Sequence, residues 1–263
     1  MALFQSRMRS ETLDVLWEVV SEHLPTLQAY LKRKAEILGH ENGLPWWDFF
    51  APVVSESSDA RPFTIESARA YLVKHLGSFS SELGELIERA FDERWIDFDP
   101  RPGKSGGAFC RNLSNQRQSR VLTNFDGTLR AVDTIAHELG HAFHGQQIEM
   151  KRPLNRCYTM PVAETASNFD ELLLMNAAIE EAKTTEERIA LLDARLSDVA
   201  QTVCDIFSRF LFEKSVFEQR AEKYLVAEDL CRLMEDAQKK AYGSALDADA
   251  LHPYMWVNKV HYY

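Results

Sequence analysis

Apolar residues recur every three or four positions along most of the chain, which is the periodicity of helices that bury one face. Residues 10–39 place Leu13, Leu16 and Val20 on one such face. Pro25 is expected to kink or split this helix, because proline lacks the backbone N–H that a helix interior uses. The pattern therefore predicts a long N-terminal element in one or two helical pieces.

Six further helices are predicted from the same periodicity and from their end signals. They cover 63–77, 79–95, 128–149, 161–182, 184–224 and 227–242, the first two being separated at Gly77. Thr128 is the predicted N-cap of the third, and "TTEE" at 184–187 forms a capping box at the start of the fifth. Helices thus dominate the chain, and the predicted fold class is mainly α.

A stretch rich in Pro, Gly and Ser interrupts the helices at 97–126. Two short extended segments near 108–112 and 120–124, joined by a polar turn, predict a hairpin there. We therefore expect a small β-sheet next to the helix that starts at residue 128. No internal repeat or linker divides the sequence, so a single domain over 1–263 is predicted.

The bulk composition is that of an ordinary globular protein, with 45% hydrophobic and 27% charged residues. A net charge of -10 argues against nucleic acid and anionic membranes as partners, because both require clustered Lys and Arg. No run of 18 apolar residues is present, so no transmembrane helix is expected. The oligomeric state stays open at this point.

The four cysteines are widely spaced, and no C-x-x-C pair occurs, which disfavours a thiolate zinc site. The spacing also shows no disulfide framework, and the N-terminus lacks the apolar run of a signal peptide. We therefore expect a cytoplasmic protein.

The segment "TIAHELGHAFHG", residues 134–145, carries the strongest chemical signal. His137 and His141 are one helical turn apart and can direct ring nitrogens at one metal ion, and imidazole is a ligand that suits zinc. Glu138 projects about 100° around the helix from His137, so it is better placed to reach a water on that ion than to bind the ion itself. H-E-x-x-H therefore predicts two ligands and a general base.

A plain core helix with hydrogen-bonded histidines is the competing interpretation of this segment. Gly140 argues against it, because glycine inside a helix costs roughly 1 kcal/mol relative to alanine. That cost is accounted for if another backbone or a ligand must come close. His144 is a possible spare ligand, although a position next to the ligands or on the surface suits it better.

A catalytic zinc needs a third protein ligand, and the candidate is Glu164 in "PVAETASNFDELLL". It follows His141 by 23 residues and falls in the first turn of the next predicted helix, where a carboxylate is also favourable without any metal. Asp170 and Glu149 are weaker rivals. Glu171, two turns further along, can accept a hydrogen bond from the outer ring nitrogen of His137 or His141.

"AHELGHAFH" followed by "PVAETASNFDELLL" closely resembles the oligoendopeptidase F family of zinc metallopeptidases, relatives of thimet oligopeptidase. "AFDERWIDFDPRPGKSGGAFC", "VLTNFDGTLRAVDTIAHELGHAFH" and "HPYMWVNKVHYY" are similar to that family too. The resemblance implies a zincin-like helical catalytic domain with one Zn²⁺, which cuts short peptides internally within a deep channel. It implies that His137, His141 and Glu164 bind zinc and that Glu138 is the catalytic base.

The same resemblance assigns substrate contacts. "SGGAFC" at 105–110 would be a strand at the edge of the cleft, with Gly106, Gly107 and Ala108 beside the peptide backbone. An ordinary Gly-rich turn before a hairpin is the alternative. His261 would be the catalytic histidine that stabilises the oxyanion, with Tyr262 or Tyr263 beside it.

The family's N-terminal lobe and extreme C-terminal part have no counterpart in this sequence, so we expect a truncated catalytic domain. The alternatives are a metal-binding core that is weak or inactive without the missing segments, and a non-enzymatic helical interaction protein.

Overall fold

A computed structural model describes residues 2–54 and 62–258 of the chain. The helices in chain order are α1 (Ala2–Ser6), α2 (Ser10–Leu38), α3 (Ile65–Phe79), α4 (Ser81–Asp92), α5 (Leu129–Glu149), α6 (Met160–Glu181), α7 (Thr185–Ala200), α8 (Ile206–Arg220), α9 (Ala227–Tyr242) and α10 (Met255–Asn258). The strands are β1 (Ile96–Asp97), β2 (Phe109–Leu113) and β3 (Gln118–Leu122). The predicted class, mainly α with a small β-sheet, is confirmed. Within the described ranges, no helix has the length and apolarity needed to cross a membrane.

The described chain forms two compact units. One unit is drawn from Met1–Glu56 and Thr184–Tyr263, and the other from Ser57–Lys183. The first unit is a set of helices whose core lies between α2, α7, α8 and α9. Its fully buried apolar residues include Leu31, Leu44, Ala200, Cys204 and Ala241.

The helix is not split at Pro25, because α2 runs unbroken from Ser10 to Leu38. Pro25 lies on the exposed face of the helix. The carbonyl group of Ser21, which loses its helical partner there, can be hydrated, so the helix continues. The helix predicted over 184–224 ends earlier, at Arg220, and passes through a π-helical turn at Gln201–Asp205.

A buried polar cluster ties α2 to α7 in this unit. The Lys34 ammonium is 1% exposed, lies 3.2 Å from Asp193 Oδ2 and donates to Ser197 Oγ at 2.9 Å. The Tyr30 hydroxyl donates to Asp193 Oδ1 at 2.6 Å, and burial together with this carboxylate raises the pKa of the phenol well above its usual value. Every charge in the cluster therefore has a partner.

In the second unit, α5 packs against β2 and β3 of a three-stranded sheet, and α3 and α4 pack against each other and against α5. The strand order is β1-β3-β2, with β1 parallel and β2 antiparallel to β3, so β2 is an edge strand. The predicted hairpin is confirmed, shifted by one or two residues. Its core includes Leu72, Leu76, Ile87, Ile135 and Leu139, all fully buried.

The helix break predicted at Gly77 is wrong, because α3 continues to Phe79 and the chain turns at Ser80, whose side chain caps α4. Gly77 instead serves the contact between the two helices. A Cβ atom on Gly84 would lie 3.0 Å from the Gly77 Cα atom, so the two glycines let α3 and α4 approach closely.

Candidate metal centre

Helix α5 starts where the sequence predicts. The Thr128 hydroxyl accepts from the Ala131 N–H at 3.1 Å, and Asp126 Oδ1 accepts from the Thr128 N–H at 3.0 Å. This capping fixes the residue at which the helix begins, because it satisfies backbone donors that have no helical partner. Ile135 and Leu139 then face the core, while His137 and His141 lie together on another face with their ring centroids 4.8 Å apart.

Helix α6 packs antiparallel to α5, and the two backbones come close together at Gly140. A Cβ atom at this position would lie 2.8 Å from the Ser167 Cα atom and 3.0 Å from the Ala166 carbonyl oxygen. The close backbone approach expected from Gly140 is therefore confirmed. It brings the first turns of α6, with Glu164, next to the histidines of α5.

Three candidate ligand atoms converge between these helices. Nε2 of His137 and Nε2 of His141 each lie 3.3 Å from the same oxygen, Oε2 of Glu164. The ligand atoms of the three residues all lie within 4.8 Å of one another, and this is the one cluster of its kind in residues 2–54 and 62–258. Asp170, Glu149 and His144 are not part of it.

The two nitrogen–oxygen separations fit a zinc ion. Bonds of ~2.0–2.1 Å in a tetrahedral site place neighbouring ligand atoms ~3.3–3.4 Å apart, which matches the 3.3 Å from each histidine nitrogen to Glu164 Oε2. Two imidazole nitrogens and one carboxylate oxygen are also a donor set that catalytic zinc uses, with a fourth position left for water or substrate.

Each histidine ring is also oriented by a hydrogen bond to a residue of α6. His137 Nδ1 lies 2.8 Å from Glu171 Oε1, so the structure brings Glu171 to His137 rather than to His141. Burial lowers the pKa of His137, but the carboxylates of Glu171, Glu138 and Glu164 together outweigh this effect, and the net pKa is raised. The His141 ring bonds to the backbone of Ala163, and burial lowers its pKa. Each ring orientation is thus fixed independently of any ion.

The roles of two polar side chains near the ligands were not predicted from the sequence. The Ser167 hydroxyl donates to Glu164 Oε2 at 2.8 Å, which holds the carboxylate in place. Ser167 lies three residues after Glu164 on the predicted helix, and this spacing indicates that the two side chains can meet. Asn112 Nδ2 donates to the His141 carbonyl oxygen at 3.3 Å and joins β2 to α5. That contact spans 29 residues, and no local pattern indicates it.

Glu138 lies beside the cluster and is 4% exposed. Its Oε2 atom is buried and has no hydrogen-bond partner among the described residues. Burial raises the pKa of this carboxyl group to about 7; the charges of Glu164 and Glu171 add to the shift, and His137 opposes it. An unpartnered buried carboxyl group with such a pKa is suited to exchange a proton near neutral pH.

Three further titratable residues, His144, Asp170 and Cys110, are not part of the ligand cluster. The His144 ring stacks on Tyr158 with centroids 4.3 Å apart. Asp170 is 3% exposed, and burial raises its pKa to about 7 while the His137 charge opposes the shift. Burial also raises the pKa of the half-buried Cys110 thiol, to about 12, so this group stays protonated.

The Gly-rich segment is a loop rather than a strand over most of its length, which corrects the prediction for 105–110. The strand begins only at Phe109, so Gly106, Gly107 and Ala108 precede β2. Gly107 has a φ of 76°, and Asn124 Nδ2 donates to the Gly107 carbonyl oxygen at 3.0 Å, which stabilises a loop conformation.

Three predicted residues at the C-terminus, His261, Tyr262 and Tyr263, lie outside the described residues. Their roles stay predictions.

Helix α5 carries H-E-x-x-H and packs backbone to backbone against α6, which supplies a glutamate. This arrangement is typical of helical metallopeptidases. The profile of Peptidase family M3 matches residues 1–263, so the chain belongs to that family.

Individual relatives agree with this assignment. The chain is 29% identical over 264 residues to the chromosomal oligoendopeptidase F of Lactococcus lactis subsp. cremoris, and 29% identical over 265 residues to the group B oligopeptidase PepB of Streptococcus agalactiae. Each match covers 100% of this chain and 43% of the relative. The chain thus spans less than half the length of these curated relatives.

A solved structure shares the fold. A protein from Chlamydophila abortus, described as a peptidase, superposes with a TM-score of 0.78 at 24% identity. The superposition covers 98% of this chain and 44% of that one.

Proposed function

We propose that this chain carries the catalytic centre of a zinc-dependent endopeptidase, which hydrolyses internal peptide bonds of short oligopeptides. The observation that supports this most directly is the convergence of His137, His141 and Glu164 on one point, with both histidine nitrogens 3.3 Å from a single carboxylate oxygen. These three residues would hold one Zn²⁺.

A bound zinc ion would supply Lewis-acid chemistry, polarising the scissile carbonyl group and making water more acidic. The chain's own residues supply the rest. Glu138 takes a proton from the attacking water and passes it to the leaving amine nitrogen. Glu171 and Ser167 keep His137 and Glu164 in position by the hydrogen bonds described above.

Substrate contacts are a second part of the proposal. An extended peptide pairs with the exposed edge of β2, next to Gly106, Gly107 and Ala108 in the preceding loop. His261, with Tyr262 or Tyr263, stabilises the negative charge that develops on the carbonyl oxygen. The four cysteines are unpaired in the structure, which supports a reducing compartment such as the cytoplasm.

The proposal is tested by measuring zinc content and peptide cleavage on the same preparation. We expect one zinc per chain by plasma mass spectrometry, and internal cleavage of a quenched peptide that stops with a chelator and returns with added zinc. Mass spectrometry of the products distinguishes internal cuts from trimming of the ends.

Other results have distinct meanings. Bound zinc without cleavage would favour a metal-binding core that needs segments beyond this chain. That alternative is supported by the match to only 43% of each relative. Absence of zinc from a folded chain would contradict the proposal and favour a non-enzymatic helical protein.

A further inference from the structure

Two arginines face each other across the β-hairpin beside the metal centre. Arg111 of β2 is paired in register with Arg120 of β3, and both side chains are exposed. Residues directly opposite in antiparallel strands have Cβ atoms ~4.5–5.5 Å apart, and like charges at this distance destabilise the pair. The hairpin therefore maintains an unfavourable contact on its outer face.

This charge is not neutralised within the described part of the chain. Arg120 donates to the Ser119 carbonyl oxygen and to Gln118 Oε1, which are both neutral acceptors. Three other arginines of the same unit do have carboxylate partners. They are Arg69 with Glu88 and Asp92, Arg89 with Glu93, and Arg101 with Asp97. Arg111 and Arg120 are set apart by their position, because two arginines without an ion pair in the described residues lie directly opposite each other in neighbouring strands.

The position of Arg111 relates it to the site. Its neighbour Asn112 bonds to the carbonyl of His141, and Cys110 packs into the core below α5, so these two side chains face the metal-bearing helix. Because side chains alternate along a strand, Arg111 points to the opposite face of the sheet. Arg111 lies on the edge strand, where a peptide can add a fourth strand to the sheet.

We propose that Arg111, backed by Arg120, selects peptides that carry Asp or Glu at the residue lying beside it. This inference rests on the proposed pairing of the substrate with the β2 edge. A peptide strand added there also alternates its side chains, so residues facing away from α5 come next to Arg111. An acidic side chain at that place pairs with Arg111 and relieves its repulsion with Arg120.

The test measures binding separately from cleavage. Zinc-loaded Glu138→Gln protein is titrated into dye-labelled octapeptides in which a single Glu moves through an otherwise neutral sequence, each beside its Gln counterpart. We expect Glu to bind about two- to fivefold more tightly than Gln at one position, the range of a cross-strand ion pair. The preference should weaken as salt is added, since the pair is exposed.

Adding Arg111→Gln should abolish the preference, whereas Arg94→Gln should keep it. Arg94 is an exposed arginine just before β1, at the other edge of the sheet, so its loss changes the net charge equally. In the otherwise native protein, Arg111→Glu should raise the melting temperature, because opposite charges then face each other across the hairpin.

Equal binding of Glu and Gln peptides at every position, or a preference that survives Arg111→Gln, would overturn the inference. So would failure of all the peptides to bind. If the wild-type chain cleaves no peptide but Arg111 still controls the Glu preference in binding, only the proposed hydrolysis fails. If cleavage occurs without any acidic preference, only this inference fails.

Discussion

Gly140 and Ser167 touch through their backbones, so closely that a Cβ atom at position 140 would lie 2.8 Å from the Ser167 Cα atom. This contact sets the distance between α5 and α6, and with it the distance from the two histidines to Glu164. The geometry of the metal centre thus depends on a residue that has no side chain and supplies no ligand atom.

Gly140→Ala tests this dependence. Alanine gains about 1 kcal/mol of helix propensity, but the overpacked contact costs about 1–3 kcal/mol and pushes the helices apart. We expect zinc affinity, measured by competition with a chelating dye, to fall about tenfold or more. Gly106→Ala is the control, since a Cβ atom there meets nothing within 4 Å. If Gly140→Ala binds zinc with wild-type affinity, the contact at Gly140 does not set the spacing between α5 and α6.

Glu171→Gln tests how the His137 ring is held. Glutamine keeps the shape of the side chain but removes the charge that lies 2.8 Å from Nδ1 of His137. Loss of such a partner behind a metal-binding histidine costs 10–100-fold in metal affinity or activity, and we expect a zinc affinity change within about this range.

The matched control for Glu171→Gln is Glu180→Gln, an exposed glutamate on the same helix, which changes the net charge by the same amount. It should bind zinc as the wild type does. Equal affinities for the two variants would mean that Glu171 does not support the His137 ligand.

Glu138 and Glu164 should respond differently to substitution, although both are glutamates next to the histidines. Glu138→Gln should keep the zinc content and lose about 10²–10⁴-fold in kcat, because it removes a base and no ligand. Glu164→Ala should lose most of the zinc. Atomic absorption and a quenched-peptide assay on both variants check this. Retained hydrolysis in Glu138→Gln would refute the base assignment, and unchanged zinc in Glu164→Ala would refute the ligand assignment.

Local sequence patterns predicted those features that are formed by residues a few positions apart in the chain. His137 and His141 share a face because they are four residues apart, and Thr128 begins α5 because its hydroxyl caps a free N–H. Gly140 was informative because its cost inside a helix requires a compensating contact.

Features that depend on distant residues were not predictable in this way. Pro25 leaves α2 intact because its face is exposed, and Gly77 stays inside α3 because Gly84 packs against it. Asn112 reaches the His141 carbonyl only because β2 lies against α5. Each of these outcomes is decided by tertiary packing, which overrides local propensity.

Lys34→Met is expected to destabilise the first unit. The substitution leaves the Asp193 carboxylate in the interior with the Tyr30 hydroxyl still donating to it but without its cation, and breaking a buried ion pair from one side costs about 3 kcal/mol or more. Urea unfolding followed by tryptophan fluorescence measures the change. Lys32→Met is the control, because Lys32 is exposed on the same helix and should change little.

The double variant Lys34→Met with Asp193→Leu separates the loss of a pair from the burial of an unpaired charge. Replacing both partners with apolar side chains removes the stranded carboxylate, so most of the lost stability should return. If the double variant is as unstable as Lys34→Met, the unpaired charge is not the cause. The packing of the lysine chain between α2 and α7 would then account for the effect.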